Sequence, residues 1–81
     1  MTIRVLAFAR LREILDSPER TLELPDGASV DDAWASLQRE HAALAGEVSS
    51  SRAAINGKLV SFAQPLCDGD ELALLPPVSG G

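Results

Sequence analysis

One amphipathic helix, beginning after Ser29, limits the folds open to this chain of 81 residues. Ser29 is a favourable N-cap, and Asp31 and Asp32 lie near the positive end of the helix dipole. A stripe at helical spacing then follows, formed by Val30, Ala33, Trp34, Leu37, His41 and Leu44. The pattern therefore predicts a helix over residues 30–44 that buries one face against the rest of the chain.

Strand patterns surround this helix on both sides in the sequence. Strands are predicted over residues 3–8, 21–24, 53–55, 58–60 and 71–75. Asn56-Gly57 is a strong hairpin-turn signal between two of them. The spacing of Leu11, Ile14 and Leu15 predicts a second, short helix over Ala9–Leu15. Strands and helices mixed in so short a chain predict a small α+β roll, with one sheet folded over the main helix.

Composition restricts the compartment and the partners of the chain. Twelve acidic residues against seven basic ones give a net charge of −5, which disfavours binding to nucleic acid or to an anionic membrane. No apolar run approaches the roughly 20 residues that span a bilayer, and no amino-terminal signal is visible. The single Cys67 suits a reducing compartment. These features predict a cytoplasmic protein.

Motifs for metal binding, cofactor binding and catalysis are absent from the sequence. It has no phosphate-binding loop, no HExxH and no CxxC. Cys67 and His41 could form a nucleophile–base pair, but structural roles are favoured, since His41 lies in the helical stripe and Cys67 beside a turn. Residues 68–71 resemble part of a calcium loop but lack its other ligands, so a turn is predicted. We expect no metal, no bound cofactor and no catalytic apparatus within this chain alone.

The carboxyl-terminal residues supply the one group with distinctive chemistry. Pro76-Pro77 favours an extended backbone, and Gly80-Gly81 makes a stalk without side chains. The residues after Pro77 can reach about 13 Å, at roughly 3.3 Å each. The α-carboxylate of Gly81 is ionised at neutral pH and needs activation, most economically by adenylation on a separate enzyme. The activated carboxyl could then accept sulfur or an amine, and the residues themselves leave this choice open.

Three stretches resemble the small, sulfur-carrying subunit of molybdopterin synthase, a family within the ubiquitin-like superfold. They are residues 6–14, residues 56–62 and residues 66–81, the last with the ending Pro-Pro-Val-Ser-Gly-Gly. The resemblance implies a ubiquitin-like β-grasp domain with a mixed sheet over residues 1–75. It also implies a flexible Gly-Gly tail over residues 76–81.

The resemblance further implies a function in molybdenum cofactor biosynthesis. A ubiquitin-activating-like adenylyltransferase would use ATP to adenylate Gly81, and a sulfur donor protein would supply sulfur for a thiocarboxylate. The tail residues Val78, Ser79 and Gly80 would enter the active site of the large subunit. Sulfur would pass there to a cyclic pyranopterin precursor, so the chain would serve as the small subunit of a sulfurtransferase complex.

The surface that meets the large subunit is implied by the same resemblance, which places Phe8, Leu59 and Leu75 at the interface. The residues add an independent expectation. If the first and last strands are neighbours, Leu6 and Phe8 join Ala73 and Leu75 in one apolar patch at the root of the tail.

Other functions remain open from the sequence. One is a sulfur carrier for thiamin or cysteine synthesis. Another is a ubiquitin-like modifier that conjugates to lysines, and Lys58 is the only lysine of this chain. The last is an interaction domain whose Gly-Gly ending is incidental.

Overall fold

Five strands form one mixed sheet in the computed structural model of the chain, which describes residues 1–77. They are β1 (Thr2–Ala7), β2 (Glu19–Glu23), β3 (Arg52–Ile55), β4 (Lys58–Val60) and β5 (Glu71–Leu75). Their order across the sheet is β2-β1-β5-β3-β4. Neighbouring strands are antiparallel except for β1 and β5, which run parallel. The last strand in the sequence is therefore the central strand, and the predicted mixed sheet is confirmed.

The hairpin between β3 and β4 forms as the sequence predicts. Asn56 and Gly57 both have positive φ, at 49° and 87°, which is the backbone of a tight type I′ turn. The side chain of Asn56 also ties this turn to the start of β5. Its Nδ2 donates to Asp70 Oδ1 at 3.0 Å, and its Oδ1 accepts from the backbone N–H of Glu71 at 3.0 Å.

The main helix, α2 (Val30–Glu40), begins where Ser29 predicts. The Ser29 side chain accepts from the Asp32 N–H at 3.3 Å, and the Asp32 carboxylate accepts from the Ser29 N–H at 2.8 Å. This capping box satisfies otherwise unpaired groups at the first turn. The buried residues of the helix are Val30, Ala33, Trp34 and Leu37.

The prediction that this helix continues to Leu44 is wrong. The helix ends at Glu40, His41 leaves helical geometry with φ −133° and ψ 85°, and residues 42–46 form a 3₁₀ turn. Leu44 is still fully buried, because the tighter turn carries it back to the core. His41 is half-exposed, and its Nε2 lies 3.4 Å from Arg20 Nη1. The stripe therefore predicted the burial of its apolar residues correctly but the length of the helix incorrectly.

The core lies between one face of the sheet and the helices. Its largest fully buried side chains are Ile3, Val5, Leu11, Val30, Leu37, Leu44, Leu72 and Leu74. The short helix α1 (Ala9–Leu15) contributes Leu11 and Leu15, as predicted. Each such side chain stabilises the fold by roughly 1.5–3 kcal/mol. Among residues 1–77, no helix is long and apolar enough to cross a bilayer.

Candidate functional site

The face of the sheet that points away from α2 carries the candidate site. Strand register places Leu6, Ala73, Ala54 and Leu59 in one row across β1, β5, β3 and β4. Side chains alternate between the two faces of a strand, and the neighbouring residue Leu72 is fully buried in the core. The row therefore lies on the outer face.

The apolar half of this outer face comprises Leu6, Phe8, Ala54, Leu59, Ala73 and Leu75. Phe8 follows the buried Ala7 in extended conformation, so its side chain turns outward, where it is 44% exposed. Leu59 is 65% exposed, and Leu75 is half-buried. The three predicted interface residues thus share one surface. Apolar clusters exposed in this way commonly mark a contact with another protein.

The charged half of the same face comprises Thr2, Arg4, Glu23 and Glu71 at the other end of the strands, together with Glu19, which pairs with Leu6 at the border of the apolar half. The guanidinium of Arg4 forms ion pairs with Glu71 and, at 3.9 Å, with Glu19. The hydroxyl of Thr2 donates to the carboxylate of Glu23. These polar side chains satisfy one another, while the side chains of the apolar half have only apolar surface to offer.

The chain leaves the sheet at the apolar half. Because β1 and β5 are parallel, their carboxyl ends lie side by side, with Ala7 paired to Leu74. One step further along, Phe8 and Leu75 occupy corresponding positions, and Arg52 pairs with Leu75 from the other side. The first and last strands are therefore neighbours, which is the condition under which the sequence predicted an apolar patch, and the patch lies beside the end of β5.

The residues predicted to carry and deliver the reactive carboxylate are Val78, Ser79, Gly80 and Gly81. All of them lie outside the described residues; of the tail predicted over residues 76–81, only Pro76 and Pro77 are described. The last described residue, Pro77, is exposed and lines a polar recess with Arg52 and the serines at 49–51.

The acidic turn before β5 has a structural role. Gly69 has φ 84°, as a tight turn requires, and confirms the predicted turn. Asp70 Oδ2 accepts from the backbone N–H of Cys67 at 2.8 Å, and Asp68 Oδ1 accepts from that of Thr2 at 2.7 Å. Within residues 1–77, no group of three or more histidine, cysteine or acidic side chains is placed to hold a metal ion. The thiol of Cys67 is free and exposed.

Sequence reasoning missed one residue beside this surface, Ala9. It has a positive φ of 51°, although it carries a Cβ and directly follows Phe8. Glycine and asparagine adopt positive φ more readily and so indicate such a backbone in a sequence, whereas alanine does not.

Comparisons with known proteins agree with this geometry. The model of the ThiS family matches residues 5–81. The molybdopterin synthase sulfur carrier subunit of Escherichia coli (strain K12) is 43% identical over 81 residues, covering 98% of this chain and 99% of that protein. The corresponding subunit of Chlamydomonas reinhardtii is 41% identical over 83 residues, covering both chains completely.

A solved structure extends the similarity to three dimensions. The crystal structure of small archaeal modifier protein 1 from Haloferax volcanii superposes with a TM-score of 0.86 at 31% identity, covering 100% of both chains. The predicted ubiquitin-like β-grasp fold is confirmed.

Proposed function

The chain belongs to the ThiS family, and from this premise we propose that it is the sulfur carrier of a molybdopterin synthase, acting in molybdenum cofactor biosynthesis. The observation that carries the proposal is its likeness, over nearly the whole length of both chains, to sulfur carrier subunits of that enzyme. The geometry supports it, because an apolar surface lies at the point where the chain leaves its central strand.

The large subunit of the synthase is the proposed occupant of the apolar half. Phe8 and Leu59 expose apolar area that a partner would remove from water, and this burial favours association. Leu75 is the last residue of β5. A subunit bound here would receive the end of β5, and the residues after Pro77 would continue into its active site.

The proposed chemistry takes place at the carboxylate of Gly81. A carboxylate oxygen attacks the α-phosphorus of ATP on an adenylyltransferase, which forms the acyl-adenylate and releases pyrophosphate. A donor protein then supplies sulfur at the oxidation level of sulfide, which attacks the acyl carbon of the adenylate; the acyl–phosphate bond breaks, AMP leaves, and a thiocarboxylate remains. The sulfur of the thiocarboxylate bonds to a carbon of a cyclic pyranopterin precursor in the large subunit and displaces an oxygen substituent; water then cleaves the acyl–sulfur bond, which leaves sulfur on the precursor and regenerates the Gly81 carboxylate. ATP serves the activating enzyme, and we propose no cofactor bound to this chain.

The residues before Gly81 would form the stalk that delivers it. Gly80 has no Cβ, and Ser79 and Val78 are small, so this segment suits a narrow tunnel. We infer the cytoplasm as the compartment, since a free, exposed thiol at Cys67 suits a reducing environment.

Intact mass spectrometry tests the chemistry directly. The full chain is co-expressed with its adenylyltransferase and sulfur donor, and the expected product is heavier by the difference between sulfur and oxygen. A chain lacking Gly81 is expected to fold and bind the large subunit but to transfer no sulfur to the precursor. Sulfur transfer by this shortened chain would contradict the proposal.

Protein modification is a second candidate function, favoured by the likeness to the archaeal modifier protein. In that case the activated Gly81 carboxyl forms an amide with a lysine amine, and the same mass experiment finds a covalent adduct in place of the thiocarboxylate. A carrier for thiamin or cysteine synthesis would show the thiocarboxylate without affinity for the large subunit. These outcomes separate the candidates.

A further inference from the structure

Ala9 has an unusual backbone for its residue type. Its φ of 51° lies in the left-handed region, where the Cβ of an ordinary L-residue is crowded. The other residues with positive φ within residues 1–77 are glycines or short polar residues, which tolerate this region better: Asp16, Gly27, Asn56, Gly57 and Gly69. Ala9 is thus the one apolar side chain held in this conformation within the described chain.

The surroundings of Ala9 explain why the chain must reverse there. On one side, the buried Ala7 donates its N–H to the Pro18 carbonyl at 3.0 Å. On the other side, α1 is anchored by the buried Leu11, whose N–H donates to the Phe8 carbonyl at 3.1 Å. Both flanks are fixed, so the reversal falls on Phe8 and Ala9. Ala9 is itself exposed, and packing of its methyl group does not account for an alanine at this position.

We propose that Ala9 is a positioning residue for docking, which holds Phe8 on the outer face in the orientation that the large subunit binds. The inference rests on the proposed function. The left-handed region open to alanine is small, whereas glycine explores positive φ freely, so alanine restricts the backbone that carries Phe8. A side chain already held in its bound orientation loses less freedom on association, and binding is tighter.

Replacement of Ala9 by glycine separates this role from a structural one. In Ala9→Gly the crowding is relieved, and we expect the midpoint of thermal unfolding to rise by about 3–5 °C. We expect the Kd for the purified large subunit to rise by about two- to fivefold, because the backbone at Phe8 is freer. Stability and affinity would then change in opposite directions. An unchanged Kd, or a lower unfolding midpoint, would overturn the inference.

Two further variants identify the cause. Asp16 also has positive φ, at 57°, but at the other end of α1. Asp16→Gly is therefore the matched control, with unchanged Kd expected. A chemically synthesised chain with D-alanine at position 9 favours positive φ and remains restricted, so we expect a higher midpoint with the wild-type Kd. A Kd higher than that of the wild type, in either the Asp16→Gly chain or the D-alanine chain, would contradict the proposed role of Ala9.

A double-mutant cycle shows whether Ala9 acts through Phe8. We expect Phe8→Ala to weaken binding, and Ala9→Gly to weaken it no further in that background. An undiminished effect of Ala9→Gly there would overturn the inference. Unchanged affinity of a folded Phe8→Ala chain would contradict the proposed docking surface itself. Weakened binding by Phe8→Ala with none by Ala9→Gly would overturn only the role of Ala9.

Discussion

The two halves of the outer face share the strands β1 and β5 but differ in whether their side chains have partners within the chain. In the charged half, Arg4 meets Glu19 and Glu71, so the polar groups are satisfied within the chain. In the apolar half, Phe8 and Leu59 remain exposed. The charged half thus has its hydrogen-bond and ion-pair partners within the chain, whereas the apolar half has exposed surface that a second protein can cover.

Parallel pairing creates this division. Outward positions along β1 change from Arg4 to Leu6, and those along β5 change from Glu71 to Leu75. Because the two strands run parallel, both changes occur in the same direction and their apolar ends meet. An antiparallel pair would set the apolar end of one strand against the charged end of the other. The topology of the sheet, as much as its composition, therefore produces the patch.

The largest effect is expected from Phe8→Asp, which places a charge within the apolar half. We expect the Kd for the large subunit to rise at least about 30-fold, or roughly 2 kcal/mol. The free energy of unfolding should change by less than about 0.5 kcal/mol, because the side chain is exposed. Calorimetric titration and urea unfolding measure the two quantities. Val48→Asp is the control, since Val48 is also exposed but lies outside the sheet. Equal losses from both variants would contradict a localised surface.

A smaller effect is expected from Leu59→Ala, at the edge of the apolar half. Leu59 lies on the edge strand β4, so we expect a rise in Kd of about fivefold, or roughly 1 kcal/mol. Lys58→Ala is the matched control, because Lys58 is the adjacent residue on the same strand and alternates to the other face. Surface plasmon resonance on the immobilised large subunit would measure both. A loss of affinity as large as that expected for Phe8→Asp would contradict this placement of Leu59 at the edge of the binding surface and would indicate that the surface is centred on β4.

The smallest effect is expected from Arg4→Met in the charged half. This change keeps the length of the side chain but removes its ion pairs, and because the pairs are half-exposed the cost in unfolding free energy should stay below about 1 kcal/mol. Urea unfolding at low and high salt would show this difference shrinking as salt rises. The Kd for the large subunit should stay within about twofold of wild type. A rise in Kd as large as that expected for Leu59→Ala would show that the charged half also contributes to binding, which would contradict the proposed difference between the two halves.

Local signals in the sequence predicted most of the elements. Ser29 set the start of α2, and Asn56-Gly57 set the hairpin, because capping and turn geometry depend on neighbouring residues. The end of α2 was predicted wrongly, since Leu44 reaches the core through a 3₁₀ turn that has the same apolar spacing. The central position of β5 depends on pairing between residues that are far apart in the sequence. The pairing of the first strand with the last could therefore be stated only as a condition for the apolar patch and not as a prediction.

The site was less accessible to sequence reasoning than the fold. The similarity to sulfur carrier subunits is confirmed by the relatives, and Phe8, Leu59 and Leu75 do lie on one face. Their role in binding, and the chemistry at Gly81, stay predictions. The left-handed backbone of Ala9 had no signal in the sequence, because it results from two fixed flanks and not from the residue type.

The central position of β5 also has a mechanical consequence. A partner that grips the chain beyond Pro77 pulls along the axis of β5, which is bonded to β1 on one side and to β3 on the other. Such a force acts across both sets of hydrogen bonds at once, whereas an edge strand such as β4 could be peeled away one bond at a time. The central position of β5 thus suits the domain to withstand tension applied beyond Pro77.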